Sequence, residues 1–324
     1  MDKRPLIIDC DPGVDDALSI MMLQACGQFD ILGITPVQGN VTLKNTARNA
    51  LFLSSCYGIG CPVYKGADHG IILRRPTAEY AHGKNGLGDF PFELEEETYG
   101  NETAWEFIWQ MANRYPGKLE IIAIGPLTNI AIAVKLHPEM VGLVKQIVIM
   151  GGSSTDGNAT PLAEFNIWQD PHAAEIVFQA GFRSLTMVGL ATCNSGTLNK
   201  EEMDRMRSLP STNPIAPLLR HIVDFRISSV DGWMVGEEMK QYFRENLLVC
   251  DAVAAAVLID PSLAEAEEKR VFVETRSSAA VGQTVVDWFG LSGPANTRLC
   301  RKIDREGFSR LFFRCAESYD KREV

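Results

Sequence analysis

Ile7-Ile8-Asp9-Cys10-Asp11-Pro12-Gly13-Val14-Asp15-Asp16-Ala17 decides how the rest of the chain is read. A short apolar run ends in acids, a Pro-Gly pair interrupts it, and an amphipathic segment begins, which is the order strand, tight loop, helix. Four carboxylates crowd the carboxyl end of what reads as a buried strand. Like charges this close raise one another's pKa unless a cation neutralises them. Ligands of open parallel sheets sit just beyond strand carboxyl ends, so these acids are expected to point into a cleft. Helix capping explains part of the pattern, with Asp11 as cap, Pro12 as first helical residue, and Asp15 and Asp16 at the positive end. A cap needs one acid, so a functional cluster is the stronger reading.

The alternation continues outward from this stretch. Strands are expected over 6–9, 31–37, 63–64, 119–124, 146–150 and 185–189, and helices over 15–26, 43–56, 105–115, 127–136, 171–180 and much of 217–244. This rhythm predicts an α/β fold: a doubly wound, mainly parallel open sheet, Rossmann-like and flanked by helices. Beyond residue 270 the pattern changes, and extra C-terminal strands over 271–275, 284–288 and 297–302 are expected to add in sequence before a closing helix over 306–317. No repeat, low-complexity tract or linker interrupts the chain, so residues 1–324 are expected to form a single domain.

An apolar fraction of 46% with 22% charged residues fits a protein with a substantial core. The net charge of -10, without any lysine- or arginine-rich block, repels phosphate backbones and acidic membranes, so neither nucleic acid nor membrane is an expected partner. The N-terminal segment lacks the apolar length of a secretory signal or a membrane span, and a cytoplasmic location is expected. The eight cysteines show no paired metal-type spacing and are expected to be reduced and mostly buried.

Asp11-Pro12-Gly13-Val14-Asp15-Asp16 resembles the N-terminal signature of the nucleoside hydrolases, and the resemblance runs along nearly the whole chain. Asn40 follows the second strand, Gly125-Pro126-Leu127-Thr128-Asn129 the central one, and Met150-Gly151-Gly152 the next. Gly157-Asn158, Ala163-Glu164-Phe165-Asn166 and Asp170-Pro171 come after, and Asp251 opens an alanine-rich helix that ends at Asp260-Pro261. Placed at successive loops on one sheet edge, these residues would converge on one small polar ligand.

The resemblance implies an enzyme: a calcium-dependent hydrolase of the N-glycosidic bond of ribonucleosides, serving purine and pyrimidine salvage as a homodimer or homotetramer. It implies that Asp11, Asp16 and Asp251 bind Ca2+ through side chains and Ile124 through its backbone carbonyl. Oxygen ligands without histidine or thiolate suit a hard cation, and a flexible mixed set suits calcium better than magnesium. Asp15 and Asn166 would hold the ribose diol, Asn158 and Glu164 would reach the 5′-hydroxyl, and Asn40, Met150, Phe165 and Asp251 would complete the substrate pocket. Taken singly, Asn40, Asn158 and Asn166 fit turn-capping roles equally well. Asp11 would take a proton from the attacking water, and nearby carboxylates would favour an oxocarbenium-like transition state.

The departing base is where this sequence leaves the better-known pattern. Many family members place histidine just before the last calcium aspartate, whereas here that residue is Cys250, either a weak acid or a small buried hydrophobe. His82, in His82-Gly83-Lys84-Asn85-Gly86-Leu87-Gly88, lies in a loop that resembles the family's mobile loop beside the base, and fits a base contact and an exposed loop residue equally. His221, Arg226 and Trp233 fall where the family often supplies a second active-site segment, but also fit packing. Two other classes remain open: a haloacid dehalogenase-type phosphatase, which begins with aspartates spaced like Asp9 and Asp11, and a nucleoside- or ribose-binding protein of the same fold with little catalysis. The phosphatase would need basic and hydroxyl residues where this chain carries asparagine and glutamate.

Overall fold

In the computed structural model, which describes residues 3–234 and 236–321, the strand β1 (Arg4–Cys10) sends Leu6, Ile8 and Cys10 into one apolar cluster and Ile7 into another. A strand's side chains alternate between faces, so apolar residues at both parities require cover on both sides. The helices Val14–Ala25, Cys250–Ile259 and Arg305–Glu317 cover one face, and Ala104–Arg114, Thr128–Leu136 and Pro171–Gln179 cover the other. All ten residues of Cys250–Ile259 are buried, as expected of a helix that is apolar all round.

The remaining strands are β2 (Phe29–Pro36), β3 (Glu120–Ala123), β4 (Gln146–Met150), β5 (Leu185–Val188), β6 (Leu198–Asn199), β7 (Asn246–Leu247), β8 (Ala264–Val273), β9 (Thr284–Asp287) and β10 (Thr297–Ile303). Eight of them form one sheet in the order β2-β1-β3-β4-β5-β10-β8-β9, parallel from β2 to β10 and antiparallel beyond, while β6 and β7 pair separately. This is the Rossmann-like α/β arrangement that the alternation predicts. Because β2 and β3 lie on opposite sides of β1, the loops after β1 and β3 part company and leave a crevice at the strands' carboxyl ends.

Three expectations need correction. Residues 63–64 form no strand; Val63 makes only an isolated bridge to Ile34. The helix expected over much of 217–244 is two helices, Ala216–Trp233 and Glu237–Glu245, with Gly236 between them at φ 90°, a backbone region that glycine enters without strain. The C-terminal strands do not add in sequence, because β10, the last, inserts between β5 and β8. Leu299, Cys300 and Ile303 of β10 are buried, whereas β8 carries Glu265, Glu267 and Glu268 and belongs nearer the edge. All eight cysteines are free thiols, five of them buried. Among the described residues no helix is long and apolar enough to cross a membrane.

Candidate active site

Asp11 follows β1 directly and is fully buried, with Gly39 and Gly125 packed closely against its carboxylate. A Cβ on Gly39 would stand 2.0 Å from Asp11 Oδ2, and one on Gly125 would stand 2.8 Å from Oδ1. Asp11 Oδ2 accepts the backbone N–H of Asn40 at 2.7 Å, while Oδ1 is buried with no hydrogen-bond partner. The side-chain amide of Asn40 donates to the Asp11 carbonyl at 3.2 Å and to Asp16 Oδ2 at 3.1 Å. Asp16 also accepts the backbone N–H groups of Gly13 at 2.9 Å and Asp11 at 3.2 Å. The first helix therefore begins at Val14, with Asp16 reaching back to Gly13; Asp11 is not its cap, and Pro12 is not its first residue.

Asp251, in the first turn of Cys250–Ile259, meets this group from a helix that covers the same face of the sheet as Val14–Ala25. One carboxylate oxygen from each of Asp15, Asp16 and Asp251 lies within 4.8 Å of the others. That trio contains Asp15 where the resemblance implies Asp11, and Asp11 sits beside it. Burial, then the charges of its neighbours, drives every member's pKa upward: Asp16 to about 7, and Asp11 and Asp251 well above the ordinary carboxylate range. Asp15 is raised by burial against the opposing charge of Arg226. Buried carboxylates in mutual repulsion, one with an orphaned oxygen, form an oxygen-only donor set that fits a hard divalent cation.

Asp9 does not join them. Its Oδ2 accepts Thr35 Oγ1 at 2.7 Å and Asn129 Nδ2 at 2.9 Å, tying the ends of β1 and β2 to the start of the helix Thr128–Leu136, and burial lifts its pKa to about 7. A phosphatase that relied on the Asp9 and Asp11 pair would need both carboxylates exposed to substrate.

Above the acids opens a cavity of about 720 Å³, whose lining includes Asp15, Asn40, Ile124, Met150, Asn166 and Asp251. Asn166 Nδ2 donates to the carbonyls of Ile124 at 3.1 Å and Met150 at 3.2 Å, bridging the ends of two neighbouring strands. Glu164 caps the short helix Phe165–Gln169: Oε1 accepts Asn166 N–H at 2.9 Å, and Oε2 accepts Gly152 N–H at 2.9 Å and Ile167 N–H at 3.2 Å. Asn158 Oδ1 accepts the N–H of Phe165 at 2.9 Å, and both residues line the same cavity.

His82, Cys250 and Arg226 also line it. His82 is not an exposed loop residue: only 12% of its side chain is exposed, and Nδ1 accepts the N–H of Val14 at 3.3 Å, which puts the ring hydrogen on Nε2. Burial, then the charge of Arg226, pushes its pKa down to about 3, so its 3.9 Å approach to Asp15 is not an ion pair. Contact with Cys193 and burial hold the Cys250 thiol well above its ordinary pKa. Arg226 donates from Nη1 to the Ala81 carbonyl at 3.3 Å. His221 lies outside the cavity lining, with Nε2 2.7 Å from the Gly88 carbonyl. The side chain of Trp233 falls outside the described residues.

Comparison with known proteins adds an independent line. The family model for inosine-uridine preferring nucleoside hydrolases matches residues 6–310. The chain belongs to the nucleoside hydrolase family. It is 35% identical over 322 residues to the pyrimidine-specific ribonucleoside hydrolase RihB of Escherichia coli O1:K1, covering 99% of both chains. Among solved structures it is similar to a purine-preferring ribonucleoside hydrolase from Gardnerella vaginalis (TM-score 0.89, 30% identity, 98% of this chain and 99% of that one). It is also similar to the plant nucleoside hydrolase PpNRh1 (TM-score 0.89, 26% identity, the same coverage).

Several lining residues of this nucleoside hydrolase carry no sequence signal of their own. Tyr80, Met239 and Phe243 reach the cavity from segments that read only as loop or amphipathic helix, and Leu190 and Asn194 come from a five-residue helix too short to show a periodic pattern. Of the glycines that wall Asp11, Gly125 stands in the quoted Gly125-Pro126-Leu127-Thr128-Asn129 motif, whereas the clue to Gly39 is its place immediately before Asn40.

Proposed function

We propose that this enzyme hydrolyses the N-glycosidic bond of ribonucleosides to ribose and free nucleobase, with calcium held by Asp11, Asp16, Asp251 and the Ile124 carbonyl. One observation carries the reading: a buried, mutually repelling acid cluster lies at the floor of a cavity of about 720 Å³, large enough for a sugar together with its base, in a chain whose family match spans residues 6–310. When bound, the cation neutralises the cluster and polarises the attacking water and the sugar diol.

The chain's own residues do the rest. Asp15 and Asn166 hold the ribose diol in one orientation, which lowers the entropic barrier to attack on C1′. Glu164 and Asn158, both fixed by backbone N–H groups, present their remaining lone pairs and amide towards the 5′-hydroxyl. Asn40, Met150 and Phe165 close the pocket. The Asp11 carboxylate, walled by Gly39 and Gly125, takes the proton of the attacking water, and the surrounding acids stabilise the positive ribose ring. His82 offers a neutral Nε2–H to the base as a hydrogen-bond donor, and Cys250 contributes shape rather than a proton.

The enzyme works as a single domain in purine and pyrimidine salvage in the cytoplasm, assembled as a homodimer or homotetramer. The relatives divide between pyrimidine-specific and purine-preferring enzymes, so both substrate classes belong in the test. Reducing-sugar release from inosine and uridine should appear with native enzyme, fall to background with chelator and return with Ca2+. A protein that binds these nucleosides without releasing ribose would instead be a binding protein of the same fold.

A further inference from the structure

A carboxyl group and a carboxamide buried against one another call for a reason, since apolar side chains of the same size would be easier to bury. Asp9, Thr35 and Asn129 are all fully buried, and the described lining of the cavity includes none of them. Asp9 shares its strand face with Ile7, the face covered by the helix Thr128–Leu136, while Ile8 and Cys10 point to the other. The group lies outside the set of cation donors, but it is bonded to the chain segments that carry them.

Asp9 pairs with Thr35 of β2 and Ala123 of β3, near the carboxyl ends of all three strands. Its backbone carbonyl accepts the N–H of Ile124 at 2.8 Å, and its Oδ2 accepts Asn129 Nδ2 at 2.9 Å. Both ends of the stretch 124–129 are thus fastened to one residue. That stretch holds the Ile124 carbonyl and Gly125, whose backbone packs against Asp11. On the β2 side Oδ2 accepts Thr35 Oγ1 at 2.7 Å, and Asn129 Nδ2 also donates to the Thr35 carbonyl at 3.3 Å. Asn129 Oδ1 accepts the N–H of Ala67 at 2.9 Å. The Gly66 backbone lies so close that a Cβ there would stand 2.2 Å from Asn129 Oδ1.

We propose that Asp9 and Asn129 form a positioning pair for the calcium site: their hydrogen bond holds the ends of β1, β2 and β3 in fixed register, and with them the Asp11 carboxylate and the Ile124 carbonyl. The inference rests on the reading of Asp11 and Ile124 as calcium donors. Ladder hydrogen bonds stop where the strands stop, so the loops beyond them depend on side-chain ties for their spacing. A cation gathers donors from several such loops, and a small shift of one loop against another weakens every bond to the ion together. An uncharged amide and a carboxyl can make this tie without adding a further net charge to the donor set, because neither faces it.

The test is a calorimetric titration of Ca2+ into chelator-treated wild type, Asp9→Leu, Asn129→Leu, the double variant, Asp9→Asn and Gly66→Ala, each with a thermal melt. Asp9→Leu and Asn129→Leu should each weaken calcium binding by roughly 10–100-fold, the scale for removing an outer partner of metal ligands. The double variant should bind no more weakly than the worse single one, because both lose the same bond. Asp9→Asn keeps an acceptor for Thr35 and Asn129 and should hold calcium within about several-fold of wild type. Gly66→Ala retains every polar group and only displaces the amide; it should weaken calcium binding too, and it decides the matter if the leucine variants do not fold. Folded variants with a lower Tm but the calcium Kd of wild type would overturn the proposal and leave the pair a purely structural one, and losses that add in the double variant would overturn the coupling. A wild type that binds calcium yet releases no ribose from inosine or uridine would sink the hydrolase reading alone, since the Kd comparison still judges the pair; a wild type that binds no calcium would sink this inference and the calcium reading together.

Discussion

Asn40 holds Asp11 at two points, donating its backbone N–H to Oδ2 at 2.7 Å and its side-chain amide to the backbone carbonyl at 3.2 Å. The same amide reaches Asp16 Oδ2, so one residue after β2 fixes two acids that flank the turn after β1. Neither acid can swing away from the cluster without breaking these bonds, which is how a strongly repelling arrangement keeps its shape.

The neighbouring glycine makes that grip sensitive to a single methyl. In Gly39→Ala the new Cβ would lie 2.0 Å from Asp11 Oδ2, so the carboxylate has to shift by an ångström or more. We expect a folded protein, destabilised by about 1–3 kcal/mol from the overpacking, with kcat reduced roughly 10²-fold. Steady-state kinetics and a thermal melt check both halves; near-native activity would show that Asp11 is not held where hydrolysis needs it.

Stability of the chelated enzyme should fall as pH rises. Burial lifts the pKa of Asp9, Asp16 and Glu164 to about 7, from ordinary values of 3.8, 3.8 and 4.5. The folded state then binds more protons than the unfolded one, so the stabilisation is complete below about pH 4 and is lost as pH climbs through about 7. Calcium competes with those protons at Asp16 and its neighbours, so added Ca2+ should raise Tm most at the alkaline end and flatten the slope. Melting curves between about pH 5 and 8, with chelator and with Ca2+, show the sign directly.

Glu164 is committed to three backbone N–H groups, and glutamine can satisfy them only by turning an amide N–H towards one of them. Glu164→Gln should therefore cost about 1–3 kcal/mol of stability through an unsatisfied buried donor. Because the displaced turn carries Asn166, KM for nucleosides should rise. A melt unchanged from wild type would mean that this cap is not formed.

Cys250→Ala separates shape from acid chemistry. A general acid contributes typically 10²–10⁴-fold, so a thiol acting in that role would cost the alanine variant at least the lower figure on inosine. With the thiol pKa held high, we expect only about a several-fold loss, shared equally by inosine, uridine and 4-nitrophenyl riboside. A loss confined to the natural nucleosides would restore Cys250 as the acid.

How far the sequence foretold these features depends on whether they are local. β4 has the bounds expected from its apolar run, Gln146–Met150, and the acid-rich turn after β1 stood out because burying several carboxylates is costly without a ligand. The insertion of β10 beside β5 was not legible, since strand order depends on which faces remain uncovered once the earlier elements have packed. His82 read equally as a base contact and as an exposed loop residue, because what covers it is distant in sequence, the N-terminus of the helix Val14–Ala25. Asp9 read as one of a set of four, and only the approach of Thr35 and Asn129 separates it from the others.

Calcium titration into chelator-treated protein, followed by calorimetry on wild type and Asp251→Asn, addresses the central claim most directly. The account predicts one ion per chain for wild type, with binding weakened by orders of magnitude in the variant and ribose release from inosine lost in parallel. Undiminished calcium binding by Asp251→Asn, or full hydrolysis without any divalent ion, would contradict it.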